Sequence, residues 1–109
     1  IRHGRIIFCW IKDHNGHAKL RPAVIVSQDI RPAGLLVVMA ITTTFSDPPP
    51  EFCIALPWHP REHPVTRLRK RSAAVVNWLA TISSDDIIGF GGDVPKGIMQ
   101  IIREKLDQI

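Results

Sequence analysis

Hydrophobic residues along this chain fall into short runs separated by polar loops, a pattern that predicts a mainly β protein. The first run, residues 4–11, is apolar at successive positions, which predicts a strand covered on both faces. The second run, residues 21–28, opens on Arg21-Pro22, and proline is tolerated at the first residue of a strand because its missing N–H costs little there. Further runs predict three more strands, the last of them broken near Asn77: residues 35–43, 51–56 and 72–82.

The C-terminal part has a different pattern, which predicts one helix. Residues 83–86 are typical of a single helical turn, residues 87–90 of a short extended piece, and Gly91-Gly92 of a hinge. After Val94-Pro95, apolar residues recur at helical spacing, with Asp93 as the expected cap: Ile98, Ile102, Leu106 and Ile109. Short strands followed by one terminal helix, without strand–helix alternation, predict a small β-barrel rather than an α/β fold.

The length of 109 residues is enough for one hydrophobic core but not two, so we expect residues 1–109 to form a single domain. A hydrophobic fraction of 45% is ordinary for a globular protein and argues against disorder. No apolar run approaches the roughly 18–20 residues of a membrane span, so no membrane is expected as a partner. Because the chain opens on Ile1 rather than Met, we expect it to be a fragment of a slightly longer protein.

The net charge of +4 favours anionic partners without naming one. Much of the excess lies in Arg67, Arg69, Lys70 and Arg71, four basic residues within five positions. Such a run is typical of a solvated loop, and contact with nucleic acid is the alternative interpretation.

Cys9 and Cys53 each lie in an apolar, strand-like segment, where free buried thiols and a reducing cytoplasm are expected. Two cysteines without Cys-x-x-Cys spacing argue against structural zinc. Asp85 and Asp86 are adjacent, and a helix-capping role suits them better than metal binding. Since no phosphate-cradling glycine loop or zinc-ligand motif is present, we expect neither a metal nor a cofactor.

Metal-free RNA cleavage needs a base, an acid and cations that stabilise charge on the phosphorus. His17, in the polar loop before Arg21, suits proton transfer because the unperturbed pKa of histidine is about 6.5. Arg21 is able to bind a phosphate bidentately, and Thr42 and Thr43 to donate hydroxyls to it. The alternatives are an exposed loop histidine, a surface arginine, and threonines that mark where a strand leaves the core. His14 is a weaker candidate than His17.

Three short motifs follow one another along the chain: Gly4-Arg5-Ile6-Ile7, then Gly16-His17 shortly before Arg21-Pro22 and its apolar strand, then Ala40-Ile41-Thr42-Thr43. Their order and spacing resemble the MazF/PemK family of toxin ribonucleases. The similarity continues through residues 72–82 and Ile88-Gly89 into the terminal helix, so it covers nearly the whole chain.

This resemblance implies an SH3-like barrel of five to six strands with a C-terminal helix, acting as a homodimer. Members of the family cut single-stranded RNA at short sequence motifs without a metal, and an antitoxin protein inhibits them by occupying the RNA groove. Carried onto matching positions, Arg21 is the phosphate-binding arginine and Thr42 the matching hydroxyl. His17 aligns with the catalytic-loop histidine or acid of some members, although this loop is one residue shorter.

The segment after the fifth predicted strand departs from the family pattern. Many members have Asp-Gln-x-Arg-Thr there, whereas this chain has Asn77 in place of the acid and Ala80 in place of the arginine. Asparagine forms hydrogen bonds but cannot take a proton at neutral pH. Either His14, His17 or a basic residue of the 67–71 run takes over that role, or the protein binds RNA, DNA or a partner without cutting.

Three hypotheses follow. The leading one is a toxin endoribonuclease with His17, Arg21 and Thr42 as catalytic residues and a basic and polar set that contacts RNA: His14, Lys19, Thr43, Asn77, Arg67, Arg69, Lys70 and Arg71. The second is a catalytically degenerate barrel that binds nucleic acid or a protein partner. The third is an SH3-like interaction module without a nucleic-acid role, in which the three tryptophans form a peptide groove.

Overall fold

The computed structural model describes residues 2–27 and 34–108. They form six strands, one 3-10 turn and one α-helix, in this order: β1 (Arg5–Lys12), β2 (Ala18–Ile25), β3 (Leu35–Thr42), β4 (Cys53–Leu56), β5 (Ser72–Ser83), the 3-10 turn (Ser84–Asp86), β6 (Ile87–Asp93) and α1 (Lys96–Asp107). All strands belong to one antiparallel sheet in the order β4-β5-β3-β2-β1-β6. The predicted mainly β fold with a C-terminal helix is confirmed, although the sheet is open, with β4 and β6 as its edges.

Two hydrophobic clusters cover the two faces of the sheet. In the first, Ile6 and Val24 of the sheet pack with Met99 and Ile102 of α1. The second lies on the opposite face and includes Ile7, which is as fully buried as its neighbour Ile6. Successive buried positions in β1 therefore confirm the prediction of a strand covered on both faces. Among the described helices, none is long and apolar enough to span a membrane.

The start of β2 differs from the prediction. The strand begins at Ala18, so Arg21 lies inside the strand rather than at its entrance. Pro22 pairs with Phe8 of β1, while β3 joins β2 only from Ala23 onwards. Proline is tolerated inside this strand because the side of β2 that β3 would occupy has no ladder at that point. The predicted C-terminal end of the strand, Gln28, lies outside the described residues.

The predicted break in the fifth strand is present as a large bulge. Met39 pairs with Leu79 and Ile41 pairs with Ala74, so between these pairs β3 advances by two residues and β5 by five. Bulges bend a strand and re-aim its side chains. Ala73 and Val75 form a small satellite cluster with Cys53, and Trp78, within the bulge, packs against both this cluster and the second core.

The predicted hinge at Gly91-Gly92 is wrong, because both glycines are buried in β6. A Cβ at Gly92 would overlap the carbonyl oxygen of Val65, and the Gly92 N–H donates to Thr66 O over 3.1 Å. Glycine is needed there because the long 57–71 connection runs directly against the strand.

The start of the helix also differs from the prediction. The carboxylate of Asp93 binds Arg2 at 2.9 Å, and the N-cap is Pro95, which makes no side-chain cap bond. The expectation that Asp93 caps the helix is therefore wrong. The helix buries Met99 and Ile102 and packs Ile98 and Leu106 beside them, while Ile109 lies outside the described residues.

Candidate functional site

Arg21 lies on the face of β2 that packs into the second core, opposite Cys9 of β1. Its half-buried guanidinium stacks on Trp78, with 4.8 Å from Cζ to the ring centroid. Its Nε is buried and finds no hydrogen-bond partner among the described residues. Buried polar atoms are nearly always paired, and because this Nε is closed to solvent, an anion is able to reach the guanidinium only through its two outer nitrogens.

Trp78, on which the Arg21 guanidinium stacks, is itself held by a hydrogen bond. Its indole Nε1 donates to the carbonyl oxygen of Lys12 over 3.2 Å, so the β5 bulge is tied to the end of β1. An indole is the best aromatic partner for a cation in a stack of this kind. From the sequence, Trp78 was included only among the three tryptophans of a peptide groove, and its position beside Arg21 was missed.

Thr42 ends β3 and pairs with Ala73 of β5. If the β2–β3 register is continued two residues beyond its last pair, Ala23 with Ala40, it brings Arg21 opposite Thr42. The Thr42 Oγ1 accepts a hydrogen bond from the Thr44 N–H at 3.1 Å and donates its own proton to the Thr44 carbonyl oxygen at 3.3 Å. Arg21 and Thr42 thus lie on neighbouring strands, each two residues beyond the last pair of the ladder between β2 and β3, while Thr43 is exposed.

The loop from Asp13 to His17 is closed by one carboxylate. Asp13 Oδ1 accepts from the N–H of Asn15 at 2.9 Å and of His17 at 3.0 Å, and Gly16 adopts a φ of 83°. The backbone bond from His17, more than that from Asn15, lowers the pKa of Asp13. Its Oδ2 lies 4.0 Å from His17 Nδ1, and the His17 side chain is 78% exposed. Asp13 was not singled out from the sequence, although an Asp that opens a tight turn is a known signal.

His17, Lys19 and Arg21 occupy alternate positions, and alternate side chains of a strand point to the same face. A strand spaces such positions about 7 Å apart. Because β2 is regular from Ala18, Lys19 and Arg21 share one face, and His17 lies in the loop just before them. The result is a row of basic side chains that a single strand of nucleic acid is able to follow.

A pocket of about 400 Å³ lies between the Asp13–His17 loop and the β5 bulge. Its lining includes two of the predicted RNA-binding residues, His14 and Asn77. Asn77 is exposed there, beside the Trp78 that holds Arg21. The residues predicted to be catalytic do not line this pocket, so it adjoins the Arg21 site without containing it.

The basic run before β5 divides into different environments. Arg67 and Lys70 are exposed, and Arg69 binds Glu62 at 3.2 Å. Arg71 instead stacks on Phe45, at 3.7 Å from Cζ to the ring centroid. The run is therefore not one uniform charged surface.

Two other groups of polar residues have structural roles. His63 Nδ1 accepts from the N–H of Val65 and of Thr66, and His59 Nδ1 accepts from Arg61 N–H, so both histidines brace the long connection. Asp86 accepts from the Ser83 N–H, which confirms a capping role for Asp86, whereas Asp85 contributes only its backbone N–H, which donates to Oγ of the N-cap Ser83.

The remaining titratable groups do not form a further reactive cluster in the described ranges 2–27 and 34–108. Cys9 and Cys53 are free and buried, and burial, with a smaller contribution from Asp86, raises the pKa of Cys9 to about 11. Burial also raises the pKa of Cys53. In the same ranges, no three His, Cys, Asp or Glu side chains are close enough to hold a metal ion.

A family model described as the PemK-like, MazF-like toxin of type II toxin–antitoxin systems matches residues 2–109. Among curated proteins, none matches the sequence. MazF from Deinococcus radiodurans has a similar fold, with a TM-score of 0.77 at 15% identity, covering 99% of this chain and 94% of that one. An endoribonuclease from a mycobacterial species, solved in complex with its cognate antitoxin, superposes with a TM-score of 0.73 at 19% identity, covering 99% of this chain and 92% of that one. At these identities, the structural matches establish the fold alone.

Proposed function

Because the chain belongs to the family of PemK-like, MazF-like toxins of type II toxin–antitoxin systems, we propose that it is an endoribonuclease that cleaves single-stranded RNA without a metal. The observation that carries the proposal is Arg21, whose guanidinium is fixed on Trp78 and has a buried Nε without a partner in the described part of the chain. A phosphate placed there lies towards the Thr42 hydroxyl and at the end of the basic row on β2.

In this proposal Arg21 and Thr42 hold the scissile phosphate, and His17 takes the proton of the 2′-hydroxyl. The 2′-oxygen then bonds to phosphorus while the bond to the 5′-oxygen breaks. The products are a 2′,3′-cyclic phosphate and a 5′-hydroxyl. The leaving oxygen takes its proton from water, because Asn77 stands where many family members have an acid.

The proposal extends to partners and context. Solved MazE-MazF complexes from Deinococcus radiodurans share this fold, and we propose that a cognate antitoxin likewise controls this chain. Residues 1–109 would form one domain that acts as a homodimer in the cytoplasm, with RNA as its substrate. The remaining predicted contacts would follow the RNA backbone and bases: His14, Lys19, Thr43, Asn77, Arg67, Arg69 and Lys70.

The test is to incubate the purified protein with mixed-sequence RNA in EDTA and to map the new ends. Cuts with 2′,3′-cyclic phosphate ends are expected, and Arg21→Ala should lose about 100-fold or more in rate because it removes a preorganised charge at the reacting phosphate. Arg61→Ala removes an equal charge from an exposed position outside the predicted RNA contacts and serves as the matched control. Equal loss in both variants, with both folded, would contradict a special role for Arg21.

A second candidate function is favoured by the exposed amide of Asn77 and by Ala80, which replace the family acid and arginine. In that case the protein binds RNA without cutting it. The same RNA, tested by filter binding over a range of salt, then shows affinity that falls steeply with ionic strength and no new ends. Neither cutting nor salt-sensitive binding would contradict both functions.

A further inference from the structure

Arg71 lies directly before β5 and makes three contacts with the segment that follows Thr42. Its Nη1 donates to the carbonyl oxygen of Phe45 at 2.8 Å, and its Nη2 donates to that of Ser46 at 2.9 Å. The guanidinium plane also stacks on the Phe45 ring at 3.7 Å. Only a planar, forked donor group makes two parallel bonds and a stack at once, so lysine is a poor substitute here.

The segment that Arg71 holds also carries the Thr42 hydroxyl. Thr42 Oγ1 accepts from the N–H of Thr44, the residue next to Phe45. The Phe45 ring packs against the satellite cluster, which includes Ala73, the partner of Thr42 across β3 and β5. The direction of the Thr42 hydroxyl thus depends on Thr44 and Phe45. The backbone of this segment is held by the two hydrogen bonds from Arg71 and by the packing of the Phe45 ring.

We propose that Arg71 is a positioning residue, which aims the Thr42 hydroxyl at the phosphate held by Arg21, rather than a contact for RNA. The inference rests on the function proposed above and assigns Arg71 a different role from its exposed neighbours Arg67 and Lys70. Its forked donors are already used on two carbonyl oxygens, and binding RNA through them would release the segment that carries Thr42.

Two substitutions separate position from charge. Arg71→Lys keeps the charge and loses the fork, whereas Arg71→Met loses both, and Lys70→Met is the matched loss of an adjacent exposed charge. We expect both Arg71 variants to lower kcat by about 10- to 100-fold, with KM and its salt dependence close to the original, because misplacing a reacting group by about 1 Å costs that much. Lys70→Met should instead raise KM and lower the salt slope by about one. Original kcat in Arg71→Lys, or a lower salt slope in Arg71→Met, would overturn the inference.

A second readout does not depend on cleavage. Hydrogen exchange of the Thr44 amide reports the bond to Thr42 Oγ1, and it should be faster in Arg71→Lys but not in Lys70→Met. If the unaltered protein does not cut RNA but the Thr44 amide still exchanges faster in Arg71→Lys than in Lys70→Met, the proposed endoribonuclease function fails. The role of Arg71 in positioning Thr42 is then retained. If Thr44 exchanges equally in all variants, the positioning contact fails even where RNA is cut.

Two further variants keep the inference testable if the Arg71 variants do not fold. Phe45→Leu removes the stack and leaves both carbonyl acceptors, so we expect a smaller fall in kcat with unchanged KM. Thr42→Val removes the hydroxyl that Arg71 is proposed to aim. Arg71→Lys should add no further loss in that background, because residues that act through one group are not additive. Independent, multiplying losses would overturn the inference.

Discussion

Arg21 and His17 lie four positions apart in the chain, yet the molecule holds them in opposite ways. Arg21 is half-buried inside a strand and stacked on Trp78, which is itself bonded to β1. His17 lies just before the strand, 78% exposed, in a loop closed by the carboxylate of Asp13. The residue proposed to bind phosphate therefore lies on packed strands, and the residue proposed to move protons lies on a surface loop.

This difference has a physical consequence. Side chains on packed strands are held more precisely than side chains on surface loops, which open locally at a lower free-energy cost. We therefore expect RNA binding through Arg21 to tolerate substitutions in the Asp13–His17 loop. Substitution of His17 should leave the free energy of unfolding unchanged. Each prediction below tests one side of this contrast.

The largest expected effect is on the exposed side. His17→Gln removes a titrating group, and we expect cleavage to slow by about 10²- to 10⁴-fold, the usual contribution of a positioned base or acid. The free energy of unfolding should not change, because the side chain is mostly exposed. Single-turnover cleavage and urea unfolding measure the two quantities.

His14→Gln is the matched control, since His14 is an exposed histidine of the same loop. Its effect on the rate should be much smaller than that of His17→Gln. The reverse order would transfer the proton-transfer role to the pocket that His14 shares with Asn77.

The second effect concerns the packed side. Trp78→Ala removes packing against two clusters, the bond to Lys12 O and the stack under Arg21, and should lower the free energy of unfolding by about 2–4 kcal/mol. Trp10→Ala removes the same side chain from an exposed position, and its cost should be below about 1 kcal/mol. Urea midpoints compare them, and equal costs would show that Trp78 does not hold the site together.

Trp78→Phe gives a finer comparison. It keeps a ring for Arg21 but loses the N–H that binds Lys12 O, and one such hydrogen bond contributes about 1 kcal/mol. We expect RNA binding to be retained more fully than in Trp78→Ala.

The same contrast explains what the sequence made predictable. Apolar runs identify strands wherever burial decides the structure, as in β1, β3 and the broken β5. They fail at the start of β2, where exposed Ala18, Lys19 and Leu20 become strand only by pairing with β1. The local sequence pattern of a segment does not show which other strand it pairs with.

The residues of the candidate site, like the strands, were predictable only in part. The family resemblance indicated Arg21 and Thr42, and the order of the strands places them on neighbouring strands, beyond the end of the β2–β3 ladder. The stack of Arg21 on Trp78 joins residues far apart in sequence through a bulge, so no local pattern reveals it. Gly91-Gly92 shows the opposite error, because a glycine pair typical of flexibility is needed here for close packing.

The smallest expected effect concerns the carboxylate that closes the exposed loop. The pKa of Asp13 is lowered in the folded state, first by the His17 N–H. A group with a depressed folded pKa stabilises the fold above its unfolded pKa of about 3.9, and that contribution is lost as the pH falls through the lower, folded pKa. Asp13→Asn should therefore reduce the melting temperature slightly at pH 7, and the difference from the original protein should disappear as the pH drops below about 3.9. Asp107→Asn, at an exposed carboxylate at the end of α1, is the control for the loss of one surface charge. A difference for Asp13→Asn that persists unchanged in acid would mean that the amide alone, rather than the lost charge, disturbs the loop. The Asp13 carboxylate would then not be what holds His17 beside the packed strand.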